Sequence, residues 1–222
     1  MNQRSSHNWK SKSSTWDSLN LTFVDFKQDY PVLSSFLAID ISIVTNCNDY
    51  QSLTNDSLVS MFVDDYILER YWNNPIKYVN YYKECHGVMS PDFSLLIGMP
   101  IPLQQYNVYR NRMVGYIWQT RGINVIPTVS WSDEKSFSFA FNGIKKGSVV
   151  AVSNIGCRNE QHKTYFDKGF EEMKRQIQPK TIIFQANNKY KLQYQSENVK
   201  FIDSYWNKKK RINMLLKSEN IN

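Results

Sequence analysis

Short apolar runs in this chain end repeatedly in oxygen-bearing side chains, and those endings are where chemistry is expected. The run at 58–63 finishes in Asp64-Asp65, the run at 87–91 leads through Ser90-Pro91 into Asp92, and the run at 123–129 leads into Trp131-Ser132-Asp133. Later runs end in Ser153-Asn154, Gln185 and Asp203, and Asp40 stands near the end of the first. Carboxylates gathered from neighbouring strand ends can hold Mg2+ or Mn2+ through oxygen ligands, or divide into a general acid and a general base. Asp64 and Asp92 are the candidates for both roles. Glu69 joins them as a catalytic candidate, because it follows Asp65 by four residues and one helical turn sets both on one face. The competing reading makes the aspartates helix caps and Glu69 a solvated helix position.

The second chemical stretch is Tyr106-Asn107-Val108-Tyr109-Arg110-Asn111-Arg112, followed by Gly115, Trp118 and Gln119. Helical spacing groups Arg110 with Tyr106, Met113, Val114 and Ile117. A guanidinium on an apolar stripe needs an anion or a carbonyl to offset its desolvation. Two readings follow: an internal ion pair with Asp64 or Asp92, or contact with an anionic ligand such as a phosphate. In the second, Arg110, Arg112, Asn107 and Gln119 bind substrate, together with Trp131 and Ser132 at the fourth strand end. Trp131 then stacks on a base or sugar; otherwise it roofs the core.

Other chemistries lack their residues. His7, His86 and His162 are scattered, and Cys47, Cys85 and Cys157 show neither zinc-site nor disulfide spacing. The phosphate-binding Gly-Lys-Ser/Thr loop, the Gly-x-Gly-x-x-Gly turn and the Gly-x-Ser-x-Gly elbow are all missing.

The elements that must position these residues are strands at about 36–43, 58–63, 87–91, 123–129, 148–153, 180–184 and 199–202, rich in β-branched residues. Asn74-Pro75 opens a helix to Glu84, a second runs from Leu103 to about Thr120 before Gly122, and a third spans roughly 164–178 before Pro179. Alternation of this kind predicts an α/β fold with mainly parallel strands. It takes the form of an incomplete or complete βα (TIM-like) barrel, with an open doubly wound sheet as the alternative. Pro127 should stop or bulge the fourth strand. Phe137, Phe139 and Phe141 alternate where a crossover helix belongs, as an extra β excursion would.

The chain of 222 residues fits a polar leader at 1–18, a single α/β domain at 19–206 and a basic tail at 207–222. Its 27 Lys+Arg against 20 Asp+Glu leave +7, which favours polyanionic partners. Lys208, Lys209, Lys210 and Arg211 beside Trp206 form a candidate nucleic-acid contact, with a solvated tail as the plain alternative. No signal-peptide or membrane-spanning pattern is seen, so a cytoplasmic setting in a bacterial host without membrane contact is expected.

The blocks Val-Met-Ser-Pro-Asp-Phe-Ser-Leu (88–95), Tyr-Asn-Val-Tyr-Arg-Asn-Arg (106–112), Val-Ile-Pro-Thr-Val-Ser-Trp-Ser (125–132), Phe-Asn-Gly-Ile (141–144) and Gly-Ser-Val-Val-Ala-Val-Ser (147–153) resemble an uncharacterised family. That family, a domain of unknown function, occurs in bacteria, tailed phages and other mobile elements. Phe-Val-Asp-Asp-Tyr-Ile-Leu-Glu (62–69) and Trp-Asn-Asn-Pro (72–75) fit it as well. The resemblance implies a phage or mobile-element setting and carries over no mechanism. The leading expectation is an enzyme acting on nucleic acid or nucleotide through the strand-end carboxylates. The alternatives are a non-catalytic phage protein that binds DNA or a host protein in replication or counter-defence, and a small-molecule sequestering protein.

Overall fold

A computed structural model describes residues 29–35, 43–186 and 191–203. The leader, Asp40 with most of the first expected strand, and the basic run at 208–211 lie outside the described residues.

Seven short strands are described: β1 (Ile43–Asn46), β2 (Ser57–Ser60), β3 (Gly87–Met89), β4 (Val125–Ile126), β5 (Val149–Ser153), β6 (Thr181–Gln185) and β7 (Val199–Ile202). Every ladder is parallel, in a four-stranded sheet ordered β1-β2-β3-β4 and a three-stranded sheet ordered β5-β6-β7. The strands therefore lie in chain order without reversal, as in a βα barrel; a doubly wound sheet reverses its order at a switch point. Among the described residues no ladder joins β7 to β1.

Pro127 accounts for the break between the sheets. It has no N–H to give the ladder, so β4 stops at Ile126 and the chain turns its pairing towards β5. Ala151 N donates to Pro127 O at 2.9 Å, Val129 N donates to Ala151 O at 2.8 Å, and Thr128 bridges Ala151.

Four α-helices are described: α1 (Asp65–Asn73), α2 (Val79–Tyr82), α3 (Ile101–Gln119) and α4 (Glu160–Ile177). Asn74 Oδ1 accepts from Lys77 N as expected of a cap, but Pro75 opens a 3-10 turn through Tyr78 before α2, so the single helix expected over 75–84 is split. α4 starts four residues before the expected 164 because Asn159 Oδ1 caps it through His162 N at 2.8 Å. The alternating phenylalanines form no β excursion. Asp133 caps a 3-10 turn over Glu134–Ser138, and Phe139 and Phe141 fold into the core behind it.

Strand alternation sorts the core. Val150, Val152, Ile182 and Phe184 meet the α4 stripe of Phe166, Phe170, Met173 and Ile177. Val149, Ala151 and Ile183 point the other way and join Val59, Val88 and Ile126 of the first sheet. One core thus reaches across both sheets. Among the described residues no helix is long and apolar enough to cross a membrane.

Candidate active site

The ends of β3 and β4 are tied to α3 by a buried polar network. Thr128 N donates to Ser90 Oγ at 2.9 Å, so a side chain replaces the ladder partner lost after Pro127. Ser90 Oγ donates to Asn111 Oδ1 at 2.8 Å, and Asn111 Nδ2 donates to Thr128 Oγ1 at 2.5 Å. Arg112, only 2% exposed, completes the network. Its Nη1 donates to Asn111 Oδ1 and Thr128 O, its Nη2 to Ala140 O at 2.9 Å, and its Nε to Asn142 O at 2.9 Å. Burial pulls this guanidinium down to about 10, against the opposing charges of Asp92 and Tyr30.

Asp92 sits just past this network. The residue is half-buried, and its Oδ1 is buried without a hydrogen-bond partner among the described residues. Burial, and then the neighbouring Asp65 carboxylate, push its carboxyl up to about 7, while a hydrogen bond from Ser130 and the charge of Arg112 oppose the shift. Asp65 is held differently. Its carboxylate accepts from Ser94 N at 3.1 Å and from Ser94 Oγ at 2.9 Å, so the first residue of α1 braces the loop after β3 rather than capping its own helix. The buried Asp92 carboxyl therefore feels the charge of a second carboxylate, Asp65, that is itself held by hydrogen bonds.

The other expected site residues are placed as follows. Asp64 occupies the N-cap of α1, is exposed, and makes no side-chain capping bond. Arg110 pairs with Glu69 at 2.5 Å, not with Asp64 or Asp92; its second arm donates to Asn107 Oδ1 at 2.6 Å, and the guanidinium lies 3.9 Å from the centre of the Phe93 ring. Asn107 also donates to Ser94 O at 2.7 Å. Gln119 exchanges hydrogen bonds with the Ser34 backbone. Ser132 Oγ donates to Gln104 Oε1 at 2.7 Å.

Trp131 is 9% exposed, packs 4.9 Å from Phe166 and fills the notch at Gly169. Asp92 is thus coupled by charge to Asp65 and Arg112 and by a hydrogen bond to Ser130, and Asp65 is bonded to Ser94, while Arg110, Glu69 and Asn107 form a second group joined to Ser94 through Asn107. Asp65, expected as a helix cap or as a face-mate of Glu69, instead holds Ser94, and no motif marks Ser94 or Ser130 for these roles, although Ser94 lies within the Pro-Asp-Phe-Ser block. Among the described residues no three His, Cys, Asp or Glu side chains cluster as metal ligands.

Fold and site together define a parallel, sequentially wound βα protein with one acidic residue after its third strand, Asp92, and another, Asp65, opening the helix after its second. The chain belongs to the family described as domain of unknown function (DUF4417), whose model matches residues 17–205. It is 31% identical over 216 residues to the Gene 1 protein of Mycobacterium phage L5, covering 94% of each chain. It is 28% identical over 221 residues to the Gene 1 protein of Mycobacterium phage D29, covering 94% of this chain and 80% of that one. No solved structure matches it. The family is thus an uncharacterised one with phage members, as the sequence blocks implied.

Proposed function

We propose that this member of a phage protein family is an enzyme acting on a nucleotide or nucleic acid in the bacterial cytoplasm, with Asp92 as its acid–base group. The observation that carries the reading is the Asp92 carboxyl: one oxygen is buried and unpartnered, and the group titrates near neutrality beside the hydrogen-bonded Asp65 carboxylate. An unsatisfied buried carboxyl oxygen costs stability, and such groups concentrate where chemistry is done. A carboxyl titrating near 7 is held in both protonation states at working pH, which is what proton transfer requires.

In this reading Ser130 orients Asp92, Asp65 keeps its proton in place by charge, and Arg112 anchors the floor without touching substrate. Nucleotide substrates are supported by the +7 charge and by the phage relatives.

Thermal shift with a panel of nucleotides and short single-stranded DNA, each with and without Mg2+ or Mn2+, tests the proposal. A ligand at a hundred times its Kd should stabilise the protein by about 2.7 kcal/mol. Loss of that stabilisation in Asp92→Asn is the expected result. No stabilisation by any of them, or a response unchanged in Asp92→Asn, overturns it.

The second reading, a non-catalytic DNA-binding or host-protein-binding role, rests on the basic run Lys208–Arg211. Removing residues 207–222 should then abolish DNA binding and flatten its salt dependence.

A further inference from the structure

A cleft of about 540 Å3 opens between the first turns of α3 and the turn after the 3-10 segment, and Arg112 backs its wall through Asn142. One wall is aromatic. Tyr106 and Tyr109 are stacked nearly parallel, 13° apart with ring centres separated by 6.4 Å, and both line the cleft. Trp72 meets both rings edge-on, at 5.9 and 6.1 Å, and braces them from the protein side. Tyr30 and Phe139 contribute further ring surface.

The polar part of the lining is an edge of hydrogen-bonding groups: Asp29, Gln105 and Asn142. Asp29 is the only charged residue among the described lining. Two guanidinium groups lie behind the lining: Arg112 gives its donors to the carbonyls of Asn142, Ala140 and Thr128, and Arg110, 5.0 Å from the centre of the Tyr106 ring, is paired with Glu69 and Asn107. Among the described lining residues an anion therefore meets only the like charge of Asp29, whereas an aromatic ring finds other rings to pack on and a carboxylate to accept an amine hydrogen.

We infer that this cleft binds an amino-bearing heteroaromatic base presented as a nucleoside: the ring stacks on Tyr106 and Tyr109, and its exocyclic amine donates to Asp29. Base–aromatic stacking contributes about 1–3 kcal/mol and is tolerant of base identity. The carboxylate supplies the selection, since it can accept from the exocyclic amine of adenine, cytosine or guanine, whereas uracil offers only its ring N3–H, flanked by two carbonyl oxygens that repel the carboxylate. A 5′-phosphate is disfavoured by Asp29, the one charged side chain among the described lining residues. The inference does not depend on any role for Asp92.

Isothermal titration with adenosine, cytidine, uridine and adenosine 5′-monophosphate tests it. Adenosine and cytidine should bind about tenfold more tightly than uridine, and the monophosphate no more tightly than adenosine. Tyr106→Leu should weaken adenosine binding by about tenfold or more. Because Tyr106 also touches Trp72, the second variant is Asp29→Asn at an exposed position, which should retain adenosine and uridine binding but erase the difference between them. Absence of nucleoside binding at millimolar concentration overturns the inference. So does a preference for uridine, or an affinity and selectivity unchanged in both variants.

Discussion

Arg110 of α3 and Glu69 of α1 meet at 2.5 Å across the top of the first sheet, and the same guanidinium lies 3.9 Å from the centre of the Phe93 ring. The pair joins two helices and the loop between β3 and α3. Glu69 keeps 42% of its side chain exposed, so solvent screens its half of the interaction. Glu69→Ala is expected to cost about 1 kcal/mol or less, and Arg110→Ala about 2–3 kcal/mol, because the latter also removes the ring contact and the bond to Asn107. Urea unfolding measures both. An Arg110→Ala loss below about 0.5 kcal/mol would mean the arginine is held there for a ligand instead.

Arg112 should be far less replaceable. Its three nitrogens serve three backbone carbonyls and one amide oxygen, and a lysine ammonium cannot span that fork. Arg112→Lys is expected to lower stability by about 2–4 kcal/mol, visible as a lower urea midpoint with little change in slope. A loss under about 1 kcal/mol would contradict the clamp.

Gly169 offers a packing test. In a solvent-facing helix, glycine to alanine ordinarily gains about 1 kcal/mol. Here an added Cβ would stand 2.1 Å from Trp131 Nε1, so Gly169→Ala should instead cost about 1–3 kcal/mol. Trp131→Phe in the Gly169→Ala background should recover part of that loss in a thermal melt. Stabilisation by the single change would show that the indole is free to leave.

Asp92 links stability to pH. Its carboxyl rises from the ordinary 3.8 to about 7 on folding, so between those values the folded chain binds the extra proton. Stability therefore falls as pH rises through that window, and what the neutral carboxyl contributes below pH 4 is lost above pH 7. Asp92→Asn, which mimics the neutral form, should melt close to the parent below pH 4 and increasingly above it from pH 5 to pH 8, at about 2–4 °C per kcal/mol. A constant difference across that range would remove the basis for Asp92 as a group titrating near neutrality.

Some of this was legible along the chain. The carboxylates at the ends of the apolar runs drew attention to Asp92, and the apolar stripe around Arg110 required an anion, which the fold supplies. The partner was misplaced. Asp64 and Asp65 are adjacent in sequence, yet the first turn of α1 sends Asp64 to solvent and Asp65 to Ser94, a distinction of one residue in helical phase. Glu69 was read with Asp65 on one face, but its contact is with a helix 41 residues later. Trp131 could stack on a base or roof the core with equal local logic, and Gly169 on α4 settles it as core.

What local pattern could settle, it settled: β-branched runs, caps at Asn74 and the stop at Pro127 act through the backbone of their own neighbourhood. Those features specify parallel strands alternating with helices and the place where the sheet breaks. Which polar groups meet was decided only when the chain closed on itself. Asp92, Asp65, Ser130 and Arg112 come from four separate stretches, and the charge state of Asp92 depends on how much solvent that meeting excludes. Desolvation and pairing are properties of the assembled interior, so no spacing along the chain encodes them.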